Sequence, residues 1–440
     1  MTDLHEMSLA AREAFYTLSV SSDEARNQAL LAMADSLSVR ADAIFEQNAL
    51  DLRDAEAASL AAPLLSRLKF DQVKLDQVIQ GLKSLCALPD PLGKTTLSTE
   101  LMPGLNLYRV VCPIGVVGVI FESRPDALVQ IASLCIKSGN AVLLKGGSEA
   151  LRTNRILTEC IQEALQHAGF PRTAVQLLTS REEVSAMLKE DELIDLIIPR
   201  GSNAFVRYIM DNSRIPVLGH ADGLCHVYIH RDADPDMAVR IAVDSKTQNV
   251  SVCNAMETML IHEEIAPLLL PRLKEKLEAG GVRLLGDEKV QAMISCEPAE
   301  EADWSTEYLD YVLSIRVVSS PEEAIAHINR YGSHHTDCIV TNDEATAAFF
   351  LNQVDSAGVY WNVSTRFADG FVYGFGAEVG IATGKIHARG PMGLEGLTTY
   401  KYKLIGSGQT MADVKRGLLH YTHRPLNESD PTSGERNHEA

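Results

Sequence analysis

The first ninety residues are rich in Ala, Leu, Glu, Asp and Gln, and their apolar positions recur at three- and four-residue spacing, as in Leu30, Met33, Ala34 and Leu37. An α-helix burying one face needs that period, so the segment is predicted helical. It ends at Pro89-Asp90-Pro91-Leu92-Gly93. Beyond it, Leu97 to Met102 and Leu105 to Cys112 flank Pro103-Gly104, which predicts two strands around a turn. From Ile114 short apolar runs alternate with amphipathic stretches: Gly115 to Phe121, Ala141 to Leu144, Val175 to Leu178, Leu193 to Ile198 and a weaker Pro216 to Leu218. Alternation of this kind predicts βα units on a parallel sheet.

The intervening helices have readable ends. Leu128, Ile131, Ala132 and Cys135 make one apolar face, which Gly139-Asn140 terminates. Ser148 is placed to cap a second helix that stops near Gly169-Phe170-Pro171, and Ser180-Arg181-Glu182-Glu183 has the spacing of a capping box. A second α/β region runs from Val227 to Asp310, and a Gly-rich, aromatic stretch from Tyr331 to Gly396. Pro425 to Ala440 is polar without apolar period and is expected to be a disordered tail.

Ligands of parallel sheets sit at the carboxyl ends of the strands. The residues there are Glu122-Ser123-Arg124-Pro125, Lys145-Gly146-Gly147-Ser148 and Pro199-Arg200-Gly201-Ser202. Basic, Gly and Ser residues at successive strand ends suit an anionic nucleotide, because Gly lets backbone N–H groups approach phosphate. There is no GxGxxG fingerprint, and Gly115-Val116-Val117-Gly118 lies inside a strand, where it reads as close packing. By motif alone, a dinucleotide site and an ordinary α/β core stand level.

With 440 residues the chain is long enough for two or three domains. Forty basic against 59 acidic residues give a net charge of -19, which repels phosphate backbones and anionic lipid, so neither nucleic acid nor membrane is a main partner. Eight scattered cysteines without a CxxC pair read as reduced thiols, and the acidic N-terminal residues do not resemble a signal peptide. A cytoplasmic location is expected.

Cys253 stands among small and amide residues in Thr247-Gln248-Asn249-Val250-Ser251-Val252-Cys253-Asn254-Ala255. A thiol attacks only as thiolate and needs help to ionise. On composition alone a buried, inert cysteine is the commoner reading, and Cys135 and Cys160 take it outright. His334-His335 are adjacent, and neighbouring residues on a strand face opposite ways, so a polar pocket lining is favoured over a metal site and no metal is expected. Glu257 reads either as a base on the same helix face as Cys253 or as a capping or surface carboxylate.

The run Pro113 to Ile120, the Lys145 strand end, the Gly201-Ser202 turn and the Cys253 segment stand in the order and spacing of the aldehyde dehydrogenase superfamily, which the chain resembles from about residue 10 to 410. Phe121 to Ala127, Gly219 to Gly223, Gln248 to Asn254 and Ala326 to Asp337 are similar to its acyl-phosphate-reducing branch. The resemblance implies an α/β fold with a Rossmann-type cofactor domain (1–96 and 114–225), an α/β catalytic domain (226–396), a β oligomerisation arm (97–113 and 397–410) and a C-terminal tail (411–440). It implies a homo-oligomer that reduces L-glutamyl 5-phosphate with NADPH to L-glutamate 5-semialdehyde in proline biosynthesis, through a thioester on Cys253. A glutamate 5-kinase, which would make the substrate, becomes a possible partner.

Three departures from the oxidising relatives stand out. Gly219 replaces the Glu that activates water there. Arg124 replaces an oxyanion-holding Asn, and could stabilise the oxyanion or the leaving phosphate, or pair with a structural acid. Ser148, three residues after Lys145, replaces the Glu that binds the adenosine ribose, which admits the extra phosphate of NADPH; the adjacent Glu149 argues the other way. The resemblance further assigns Glu307 to the nicotinamide ribose and the Asn254 backbone N–H to the oxyanion. Gly201 and Ser202 join Lys145 and Ser148 as cofactor residues. Arg366, Ser364, His334 and His335 are candidates for the glutamyl end, since an amino-acid carboxylate suits an Arg fork and hydroxyl donors. The rival readings are another acylating aldehyde dehydrogenase, a zinc enzyme of the histidinol dehydrogenase type, and a catalytically inactive nucleotide-binding subunit.

Overall fold

Five helices, Leu4–Leu18, Asp23–Val39, Ala41–Ala57, Ala62–Leu68 and Gln72–Cys86, account for the helical period of the first ninety residues. The computed structural model describes residues 4–122, 124–219, 222–375 and 378–432. Ser123, His220 and Ala221 of the motifs, and residues 433–440 of the expected tail, lie outside them. Leu30, Met33, Ala34 and Leu37 form the buried stripe of the second helix, packed towards helices Pro125–Lys137 and Leu151–His167.

Four parallel strands follow, in the order Val175–Leu177, Ala141–Lys145, Val116–Ile120, Leu196–Pro199. The weak run from Pro216 contributes only a single bridge, Val217 to Ile197. Gly118 is the packing glycine that its strand position suggests, since a Cβ there would lie 2.6 Å from Ile197 Cδ1. The capping box at Ser180 forms with Glu183 as the spacing predicts. Ser148 does not cap its helix. It opens a short 3-10 turn, Ser148–Ala150, and the helix Leu151–His167 is capped from a distance by the buried Asp51. The Asp51 carboxylate accepts the N–H groups of Arg152 (3.4 Å) and Thr153 (2.9 Å), which satisfies N–H groups that helix geometry leaves unpaired.

A second, seven-stranded parallel sheet has the order Glu297–Pro298, Arg283–Gly286, Val312–Val318, Met256–His262, Cys225–Ile229, Thr336–Val340, Gly358–Trp361. The Gly-rich stretch from Tyr331 therefore completes this sheet. Its later part does not stay there. Val379, Ala382, Met392 and Leu394, assigned with the catalytic domain by sequence, pack in the core of the first sheet instead, because the chain must cross back to reach the arm.

In the arm, Thr398–Ile405, Leu105–Pro113 and Thr95–Met102 pair antiparallel, and Arg424–Pro425 adds a short fourth strand beside Thr95–Met102. The expected disordered tail is thus corrected as far as Thr432. Leu426 N–H donates to Ser98 O, and the buried Asp430 takes the Lys403 ammonium, so a polar stretch is held by ladder bonds and one ion pair rather than by apolar period. Among the described residues no helix is long and apolar enough to cross a membrane.

Candidate active site

The carboxyl ends of the four-stranded sheet and the amino ends of the seven-stranded one meet in the same region. Helix Pro235–Thr247 and strand Met256–His262 are joined by a loop, and Cys253 sits, partly buried, in its last turn. Glu257 does not share a helix face with it. It lies on the strand, fully buried, 2.6 Å from the ammonium of Lys246.

Two backbone segments press on the thiol's turn. Gly223, on the link between the sheets, has no room for a side chain, because a Cβ would stand 2.3 Å from the Cys253 Cβ. On the other side Asn254 Nδ2 donates to Ala368 O (2.9 Å), and the Asn254 carbonyl accepts from Thr365 Oγ1 (2.8 Å). The chain reaches that position by reversing at Asn362, whose φ of +58° is tolerated by a short amide side chain. That amide is clamped to the Thr341 backbone at both ends (3.0 and 2.9 Å).

Glu307 faces Asn203 and Gly223. Its carboxylate accepts from Asn203 Nδ2 (2.5 Å) and from the Gly223 N–H, and burial holds it above the usual carboxylate range. Arg366 faces the opposite side. Its Nε donates to Gln248 Oε1 (2.9 Å), while its terminal nitrogens make no hydrogen bond among the described residues, which leaves a guanidinium fork within electrostatic reach of Cys253, Asp244 and Asp369.

Sequence reasoning named Arg200 only as a basic strand-end residue and missed Glu378. Arg200 Nη1 donates to the carbonyls of Glu378 (3.3 Å) and Val379 (3.0 Å), its Nη2 lies 3.6 Å from the Glu378 carboxylate, and that carboxylate accepts the Gly370 N–H (3.0 Å). Arg200 was visible at its strand end. Glu378 carried no signal, since only the fold brings it back to residue 200.

The thiol itself is not ionised at neutral pH. Burial pushes Cys253 up to about 12, the carboxylates of Glu378 and Glu307 add to the shift, and Arg200 opposes it. Thiolate is therefore scarce below that value and rises about tenfold per pH unit as pH increases. Alkylation of Cys253 in the unliganded protein should accelerate by about that factor per unit from pH 7 to 9 without levelling. A plateau below pH 8, read by mass spectrometry of the Cys253 peptide, would contradict this.

Other predicted residues are placed differently. Arg124 is half-exposed and pairs with Asp126 at 2.8 Å, the structural-acid alternative. Lys145 is buried, with its ammonium 2.5 Å from Gly146 O, and Ser148 is exposed at the same strand end. Ser364 is withdrawn from any pocket. It is buried, and its hydroxyl is taken up by Ser245 (3.1 Å) and the Arg366 N–H (3.3 Å). His334 and His335 diverge, in the bend that precedes strand Thr336–Val340. His334, at φ +61°, bonds Asp355 O, whereas His335 is buried against Thr336 and against Cys225, whose S–H meets the Cys253 carbonyl, so it supports the nucleophile's turn from behind.

Gly201 leaves a space at its strand end that a side chain would fill, for a Cβ there would lie 2.9 Å from Glu122 Oε1. Ser202 precedes helix Asn203–Asn212, whose first N–H groups open towards the same edge. These groups fit a dinucleotide.

A thiol in a turn between a nucleotide-type sheet and a second parallel sheet is the arrangement of thiol-dependent aldehyde dehydrogenases. The chain belongs to the aldehyde dehydrogenase family, whose model matches residues 1–307. It is 58% identical over 428 residues to the gamma-glutamyl phosphate reductase of Acetivibrio thermocellus (97% of this chain, 99% of that one) and 57% identical over 425 residues to that of Pelotomaculum thermopropionicum (97% and 98%). The crystal structure of gamma-glutamyl phosphate reductase from Thermotoga maritima superposes with a TM-score of 0.91 at 38% identity, over 92% of this chain and 99% of that one. Within the family, the chain belongs with the gamma-glutamyl phosphate reductases.

Proposed function

We propose that this chain reduces L-glutamyl 5-phosphate to L-glutamate 5-semialdehyde on the route to proline, with release of phosphate, by way of a thioester on Cys253. One observation carries the reading: Cys253 is held between Gly223 and the 365–368 turn, with the free fork of Arg366 on one side and the Glu307 carboxylate on the other. The near relatives, named for this reaction, support it.

The chemistry follows from the residues. Arg366 holds the α-carboxylate of the glutamyl group in a charge-assisted fork. The Cys253 proton passes to a buried carboxylate, for which Glu307 and Glu378 are both raised by burial. The sulfur forms a bond to the acyl carbon, the carbon–oxygen bond to phosphate breaks, and phosphate leaves with the electron pair. The Asn254 N–H, fixed by the two bonds to residues 365 and 368, steadies the developing oxyanion. A bound nicotinamide dinucleotide supplies the hydride that converts the thioester to aldehyde. The carbon–sulfur bond then breaks and Cys253 departs as thiolate. Gly219 places no carboxylate beside Pro199, so no base is offered to water and the thioester waits for hydride.

The cofactor is NADPH on this reading, since Ser148 puts no carboxylate at the ribose position, although Glu149 folds against the neighbouring Gly147. The arm strand exposes Tyr400, Tyr402 and Leu404, which supports a homo-oligomer assembled through it. The test is oxidation of glutamate semialdehyde. It should need inorganic phosphate absolutely and favour NADP⁺ over NAD⁺ by at least about tenfold in kcat/KM. A phosphate-independent rate would sink the acyl-phosphate reading, and a preference for NAD⁺ would sink the cofactor reading alone.

A further inference from the structure

Beneath the nucleophile's loop, Lys246 and Glu257 form an ion pair with neither side chain exposed. Lys246 lies in the last turn of helix Pro235–Thr247, and Glu257 is the second residue of strand Met256–His262. The pair therefore clasps the two ends of the segment that carries Cys253. The second carboxylate oxygen of Glu257 has another task. Its Oε1 accepts the N–H of Leu309 at 3.2 Å.

Leu309 has a φ of +52°, a left-handed backbone that a leucine adopts only at a cost and keeps only where its surroundings insist. It stands two residues after Glu307. The residue between them is pinned as well, because the Tyr308 hydroxyl donates to Asp303 (2.8 Å) and contacts Ser314 (2.7 Å). The whole turn is thus bound from below, with Glu257 at its strained point.

A buried ion pair is an expensive way to join a helix to a strand, and an apolar pair of the same volume does that work at less cost. An apolar pair leaves no acceptor for the Leu309 N–H. Burial raises Glu257 to about 7 and lowers Lys246, and each partner opposes the shift of the other, so loss of either alters both.

We infer that Glu257, clasped to Lys246, is a positioning residue that holds the 306–310 turn so that Glu307 meets the nicotinamide ribose, and thereby ties the grip on the cofactor to the loop bearing the nucleophile. This rests on Glu307 as the cofactor ligand.

The experiment is a double-mutant cycle on the full chain, with NADPH as the titrant and its fluorescence as the readout, and with melting curves taken alongside. Glu307→Gln is expected to raise the NADPH Kd by about tenfold or more, and Glu257→Gln by about five- to tenfold. The double variant should bind no worse than Glu307→Gln alone, because a residue that acts through Glu307 has nothing left to lose. A merely structural role would move the melting curve and add to the Glu307 effect. Fully additive losses, or a Glu257→Gln Kd equal to the wild type beside a weakened Glu307→Gln, would overturn the inference. Wild-type binding by Glu307→Gln would remove the ligand reading beneath it. Should Glu257→Gln not fold, Glu257→Asp keeps the charge but falls short of Leu309; it is expected to weaken NADPH similarly, and an unchanged Kd there overturns the inference too.

Discussion

Cys253→Ala is expected to lower acyl-phosphate reduction by at least about 10⁴-fold, since nothing else in the site can carry the acyl group. The sulfur next to hand cannot substitute. Cys225 is fully buried, donates its S–H to the Cys253 carbonyl at 3.3 Å, and is pushed well above the ordinary thiol range by burial and by Asp337. The substitution removes one atom and leaves the backbone of the turn pinned by Asn254 and Thr365, so NADPH binding should survive. Steady-state rates check the first part. NADPH titration of the variant checks the second, and mass spectrometry of wild type mixed with acyl phosphate and no cofactor should find a glutamyl adduct on the Cys253 peptide. A variant that keeps more than about a hundredth of the rate would remove covalent catalysis from consideration.

Arg366→Ala should reduce kcat/KM for the acyl phosphate by about 10²- to 10³-fold, mostly through KM, with NADPH affinity unchanged. The reasoning is geometric. Gln248 fixes Nε, so the two terminal nitrogens project as a preset fork, and a carboxylate that meets them needs little further ordering. Arg366→Lys should therefore regain only a small part of the loss, because an ammonium cannot make the paired contact. An unchanged KM in Arg366→Ala would move the glutamyl carboxylate to another residue.

Much of the fold could be read before any coordinates, because it rests on periods that one element expresses alone. The helical spacing of Leu30 to Leu37, the runs from Gly115 to Ile198 and the Ser180 capping box are local patterns with local outcomes. The errors share the opposite character. Asp51 caps a helix a hundred residues away, residues 379–394 return to the first core, and the tail to Thr432 is held by partners on the arm. The site divides the same way. In the proposed site, Cys253 and Glu307 rest on motif position in a known family, and Arg366 on the chemistry of a carboxylate. Ser364 and His335 looked equally polar in the chain but are consumed by buried bonds, while Glu378 became visible only beside Arg200.

The two halves of the site come from separate stretches of chain. In the proposed function, strand ends between residues 145 and 202 serve the nucleotide and loops at 248–254 and 362–369 serve the acyl group, and the junction is narrow: Gly223 against Cys253, and Asn203 with Glu307. Mutational drift in one half can retune coenzyme choice or chain-length tolerance without disturbing the other, so directed evolution of either trait has an almost independent set of positions to explore. The junction pairs are where such campaigns should stall.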